Sequence, residues 1–78
     1  MDGAVRMMDT ATHDVENRAK SALATSPIYI LRELRVEKLD DCLLLSGHVD
    51  SFYHKQLAQE VVRAVAGGLK VINDVHVD

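Results

Sequence analysis

Between Cys42 and Val77 the apolar residues change their spacing twice, and that change limits the folds open to this chain more than any other feature. From Leu43 to Val49 the period is two. Leu43, Leu45, Gly47 and Val49 fall on one face of an extended segment, and Cys42, Leu44, Ser46 and His48 on the other. After Ser51 the period becomes helical: Leu57, Ala58, Val61, Val62 and Val65 form one wide stripe, while Lys55, Gln56, Gln59, Glu60 and Arg63 turn to water. Ser51 is placed to cap this helix, and Gly67 or Gly68 to end it in the left-handed conformation that glycine tolerates. The period then returns to two, with Val71, Val75 and Val77 on one side and Ile72, Asp74 and His76 on the other. A strand, crossover helix and strand in this order normally give a parallel pair.

Upstream, Thr12 is a good N-cap, and Asp14 and Glu16 stand in the first turn, where the helix dipole favours negative charge. Val15, Ala19, Ala22 and Leu23 share a face, and the helix should stop near Thr25, because Pro27 disfavours helical angles in Ser26. "IYIL" reads as an apolar connector folding under the domain edge. Leu34 and Val36 alternate with Arg35 and Glu37 as a half-buried strand would, and Asp40 and Asp41 turn the chain into the next strand as a hairpin. The expected architecture is α+β, in the order αββαβ, with two helices packed on one face of a three-stranded mixed sheet. Residues 1–11 have no period and read as a flexible lead-in to a domain over 12–78.

A chain of 78 residues is one small domain. Such a domain buries only about 60% of its unfolded surface, so the residues that would line a deep cleft are needed in the core. A net charge of −3 and only three aromatic rings, Tyr29, Phe52 and Tyr53, argue against nucleic acid as a partner. Cys42 is the single cysteine, which excludes an internal disulfide and a multi-cysteine zinc site. No apolar run has the length of a membrane span or a signal-peptide core. As written the chain reads as soluble, either cytoplasmic or a piece of a longer envelope-associated protein.

"LSGHVDS" sets serine, histidine and aspartate close together. A hydrolase triad needs those side chains to converge, yet Ser46 and His48, two residues apart on a strand, stand roughly 6.6 Å apart at the backbone. The sparer reading is that Ser46 and Gly47 fit a tight contact between sheet and helix, with Ser51 as cap. His13, His48, His54 and His76 lack the spacing of a helical metal site; His48 and His76 would be neighbours on the open sheet face if their strands are adjacent, near Asp74, and solvated histidine is the simpler reading. "GGLK" follows a helix rather than preceding one, so it is a stop signal and not a phosphate cradle. No catalytic residue, metal or cofactor is expected.

The apolar pair Leu34 and Val36, the polar turn, "LLLSGHVDS", the amphipathic helix and the glycine before "KVINDVHV" together resemble the BON domain family, named after bacterial OsmY and nodulation proteins. The resemblance covers roughly Asp14 to Val77 and rests on Leu43, Leu45, Ser46, Gly47, Val49 and Ser51, then Gly67, Val71, Asn73, Val75 and Val77. The family usually has glycine in the hairpin turn, where this chain has Asp41, and an apolar residue where it has Gly68. What the resemblance implies is a small non-catalytic module of bacterial envelope and stress proteins, proposed to bind phospholipid membranes or other envelope ligands.

Two surfaces are candidates for binding. If both helices cover the face bearing Leu43, Leu45 and Val71, then Cys42, Leu44 and Ile72 are left on the open face, where an apolar patch would favour a partner, a ligand or self-association. Phe52 and Tyr53 form the second, a partner or membrane contact, unless they are a hydrophobic staple against the sheet edge. The expected function is a binding or tethering module for a protein partner, another copy of itself or a lipid surface, with weak or no direct membrane binding by the domain alone. The alternative is a self-associating structural domain that uses its open sheet face.

Overall fold

A computed structural model describes residues 15–78. The lead-in over residues 1–11, the Thr12 cap, His13 and Asp14 lie outside the described residues. The chain runs through a helix over 15–24 (α1), a short 3₁₀ helix (Tyr29–Glu33), strands β1 (Arg35–Leu39) and β2 (Cys42–Val49), helix α2 (Phe52–Val65) and strand β3 (Lys70–Val77). The central strand, β2, pairs antiparallel with β1 and parallel with β3. This is the α+β, αββαβ architecture with a mixed three-stranded sheet that the alternating periods predict.

One face of the sheet carries the core. Leu43, Leu45 and Val49 from β2, Val36 from β1 and Val75 from β3 are buried against Ala19 and Leu23 of α1 and Ala58 and Val62 of α2. Each such leucine or valine stabilises the fold by about 1.5 to 3 kcal/mol relative to exposure. Small residues at Ala19 and Ala58 let the helices approach the sheet closely, and both are fully buried.

The edges of α2 follow from side-chain chemistry. Ser51 has extended angles, and its Oγ accepts from the His54 N–H at 3.1 Å, satisfying a donor that the first turn leaves free. At the other end Gly67 adopts φ +65°. Asn73, a polar residue on the helix-facing side of β3, is reconciled with its place by three bonds. Its Nδ2 donates to the Lys55 carbonyl at 3.0 Å and Gln59 Oε1 at 3.1 Å, and its Oδ1 accepts from the Val75 N–H at 3.2 Å. Lys55 and Gln59 are accordingly half-buried rather than facing water. Glu16 does the same service for α1: its Oε1 accepts from the Lys38 N–H of β1 at 3.2 Å, and its Oε2 meets Lys20 Nζ at 2.9 Å.

One local expectation is refined and two are corrected. "IYIL" is an apolar connector with regular structure: Leu31 N–H donates to the Ile28 carbonyl and Leu34 N–H to the Leu31 carbonyl, forming a 3₁₀ helix that buries Leu31. β1 begins at Arg35, not Leu34, and Leu34 instead lies over Gly47, which therefore meets a connector side chain and not a helix. In the hairpin the left-handed residue is Asp40, at φ +48°, and not Asp41.

Candidate functional site

Strand register arranges the open face in rows. Leu39, Cys42 and Lys70 form one; Glu37, Leu44 and Ile72 the next; Arg35, Ser46 and Asp74 a third; His48 and His76 complete the sheet. Leu39, Cys42, Leu44 and Ile72 thus make a contiguous apolar track, with Ile72 43% and Leu39 40% exposed and the other two half-buried. Leu39 shares the parity of Arg35 and Glu37 and so joins Cys42, Leu44 and Ile72 on this face, a place that the alternation of β1 alone assigns it. Charged residues of both signs border the track.

The second surface lies where β2 leaves the sheet. Phe52 is 75% and Tyr53 67% exposed. The staple reading fails for a positional reason: a staple joins the residue before the cap to the fourth of the helix, here Asp50 and Lys55, and neither is apolar. Phe52 and Tyr53 occupy the first two positions of α2, and the Tyr53 ring tilts against His54 at 5.5 Å between centroids. Tyr29, 72% exposed, opens the 3₁₀ helix, which packs against β2 and α2. Arg32 holds that segment, donating from Nε to the Ser26 carbonyl at 2.8 Å and standing 5.9 Å over the Tyr29 ring. Tyr29 carried no signal beyond its chemistry, because the sequence gives no period that orients it.

The histidines are drawn into local pairs. His48 and His76, partners across the parallel register, stack at 5.5 Å between ring centroids, and His48 Nδ1 lies 3.2 Å from Asp78. Asp50 turns to His54 Nδ1 at 2.7 Å, away from His48, and Ser51 Oγ reaches that same nitrogen at 3.1 Å. A relay needs serine and aspartate on opposite ring nitrogens, so this trio orders the start of α2 and cannot activate the hydroxyl. Ser46 faces Asp74 across the open face, not a helix. Among the described residues no three ligating side chains converge to hold a metal ion.

A shallow groove between α1 and the β1 edge is lined by Glu16, Lys20, Arg32, Arg35 and Glu37. Its mixed charges favour a ligand of neither sign. Among the described residues no helix is long and apolar enough to cross a membrane. The BON domain family model matches residues 12–78. No curated protein matches the sequence at a significant level.

Proposed function

The chain belongs to the BON domain family, and from that premise we propose that it is a non-catalytic binding module that docks a protein partner through its aromatic end. The observation that carries this reading is the exposure of Phe52 and Tyr53 on the first turn of a helix whose start is fixed by Ser51, His54 and Asp50. Rigid aromatic side chains lose little conformational entropy when they dock, which suits them to anchor an interface. A protein fits this end better than an anionic lipid does, because Asp50 and Asp78 stand there largely exposed. Within a larger envelope-associated assembly, a weak contact of this kind gains strength through avidity.

Site-specific photo-crosslinking in the parent cell tests the reading. A photoreactive residue in place of Phe52 should give a discrete protein adduct that Tyr53→Ala removes, and one in place of Arg63, at the far end of α2, should give none. Equal labelling at both positions, or adducts to lipid alone, would overturn it. The track Leu39, Cys42, Leu44 and Ile72 supports a second reading, self-association face to face. Leu44→Asp should then abolish the face-to-face contact and lower the mass found in sedimentation.

A further inference from the structure

The free edge of β3 has a feature that neither surface above uses. Lys70 N–H donates to the Asp41 carbonyl and Asp78 N–H to the Val49 carbonyl, so the even-numbered residues bond across to β2. The odd-numbered residues Val71, Asn73, Val75 and Val77 therefore turn their backbone N–H and C=O groups outward, where among the described residues no further strand lies. Val75 is withdrawn from this edge, since its N–H is held by Asn73 Oδ1. On the opposite edge of the sheet the Lys38 N–H is similarly held by Glu16. Val71 and Asn73 in the first half of β3 stay open, separated by Val75 from Val77 at the strand's end.

Set against its own reverse, that half of the strand is complementary in charge. Lys70, Ile72 and Asp74 are exposed at every second position on the open face: a cation, an apolar residue and an anion. We propose that two copies of this chain pair edge to edge, antiparallel through β3, about a two-fold axis at Ile72. In that register Ile72 meets Ile72 of the second copy, and each Lys70 meets the other copy's Asp74. Side chains stand closest at such non-hydrogen-bonded positions. Val71 and Asn73, both outward-facing, exchange the backbone bonds with their counterparts, and Val75 keeps its internal bond undisturbed. A shift of two residues along one strand destroys this match. It sets Ile72 opposite either Asp74 or Lys70 and breaks both Lys70 and Asp74 pairs, so charge and edge chemistry select the same register.

The product joins two three-stranded sheets into one of six strands, and the Leu44 and Ile72 row becomes continuous across both. The aromatic ends stay free, so the pairing stands whether or not they dock a partner.

Charge exchange tests the register in analytical ultracentrifugation of the full chain, with circular dichroism checking the fold of each variant. Lys70→Asp and Asp74→Lys each oppose like charges twice per dimer, and each should weaken dimerisation at least about tenfold. The double variant, Lys70→Asp with Asp74→Lys, restores both opposite pairs and should regain the wild-type dimer. Leu39→Asp, on β1 far from the edge, should leave the dimer intact and disrupts only face-to-face stacking. Hydrogen exchange should slow with rising concentration at the Val71 and Asn73 amides. A wild-type monomer at millimolar concentration, a double variant no better than the singles, or loss of the dimer in Leu39→Asp would each overturn the proposal.

Discussion

Leu34 closes over Gly47 so tightly that a β-carbon built at Gly47 would stand 2.7 Å from Leu34 Cδ2 and 3.4 Å from Leu34 Cα. Gly47 also sits at φ +129°, a region that side chains of L-residues rarely enter. Steric room and backbone angle therefore demand glycine independently. Gly47→Ala should cost about 2 to 3 kcal/mol, read as a lower urea midpoint at unchanged m-value. Leu34→Ala in the same chain removes the contact but not the strained angle, so the double variant should fall short of additivity by about 1 kcal/mol. Strict additivity would show that Leu34 is not what Gly47 makes room for.

The hairpin offers the converse case. Asp40 holds φ +48° at some expense, and the bond that reaches it from Lys38 Nζ goes to its backbone carbonyl, which glycine would keep. Asp40→Gly relieves the left-handed strain and should raise stability by about 0.5 to 1 kcal/mol. Asp41→Gly, at a position without positive φ, should bring no gain. A thermal melt of both variants separates the two, and a gain confined to Asp41→Gly would show that the turn is built the other way round.

Asn73 predicts a third outcome. Asn73→Leu keeps the bulk but leaves the Val75 N–H without its acceptor and frees α2 from β3 at Lys55 and Gln59. The expected loss is about 1 to 3 kcal/mol. Amide exchange at Val75 should quicken with it, and an unchanged Val75 amide would show that the side chain does not hold this edge.

These residues also mark where the sequence could be read and where it could not. Period two alone locates β2 and β3, because a one-residue slip would carry Leu43, Leu45 and Val75 to the open face. The helical stripe at Ala58 and Val62 locates α2 for the same kind of reason. "IYIL" defeats such reasoning: its residues favour strands, and its 3₁₀ turn is imposed by Leu31 dropping into the core. The Leu34 and Gly47 contact joins residues distant in sequence, so only the register shows it. Cys42, Leu44 and Ile72 are legible as a face by parity, and the Ser51 cap already puts Asp50 and Lys55 at the staple positions, whereas the exposure of Phe52 and Tyr53 depends on what packs over the first turn of α2, which no period reports.

The last prediction concerns membranes, where the phospholipid binding suggested for the family and the electrostatics of this chain point in opposite directions. The net charge is −3, and the lysines are dispersed: Lys20 on α1, Lys38 on β1, Lys55 on α2 and Lys70 on β3. Lys20 is already engaged by Glu16. Among the described residues Lys20, Arg32 and Arg35 line one groove, but Glu16 and Glu37 share it, so it collects little of the roughly 1 kcal/mol per basic residue that an anionic surface offers. The exposed aromatic residues sit beside Asp50 and Asp78, so insertion of Phe52 and Tyr53 would bring carboxylates toward lipid phosphate. Their apolar area alone supports only weak, reversible attachment. The isolated domain should therefore sediment poorly with phosphatidylglycerol-rich vesicles at physiological salt, and Phe52→Ala should change little. Strong retention that Phe52→Ala abolishes would overturn this expectation and make lipid the ligand of the aromatic end, because the apolar contribution would then outweigh the unfavourable charge.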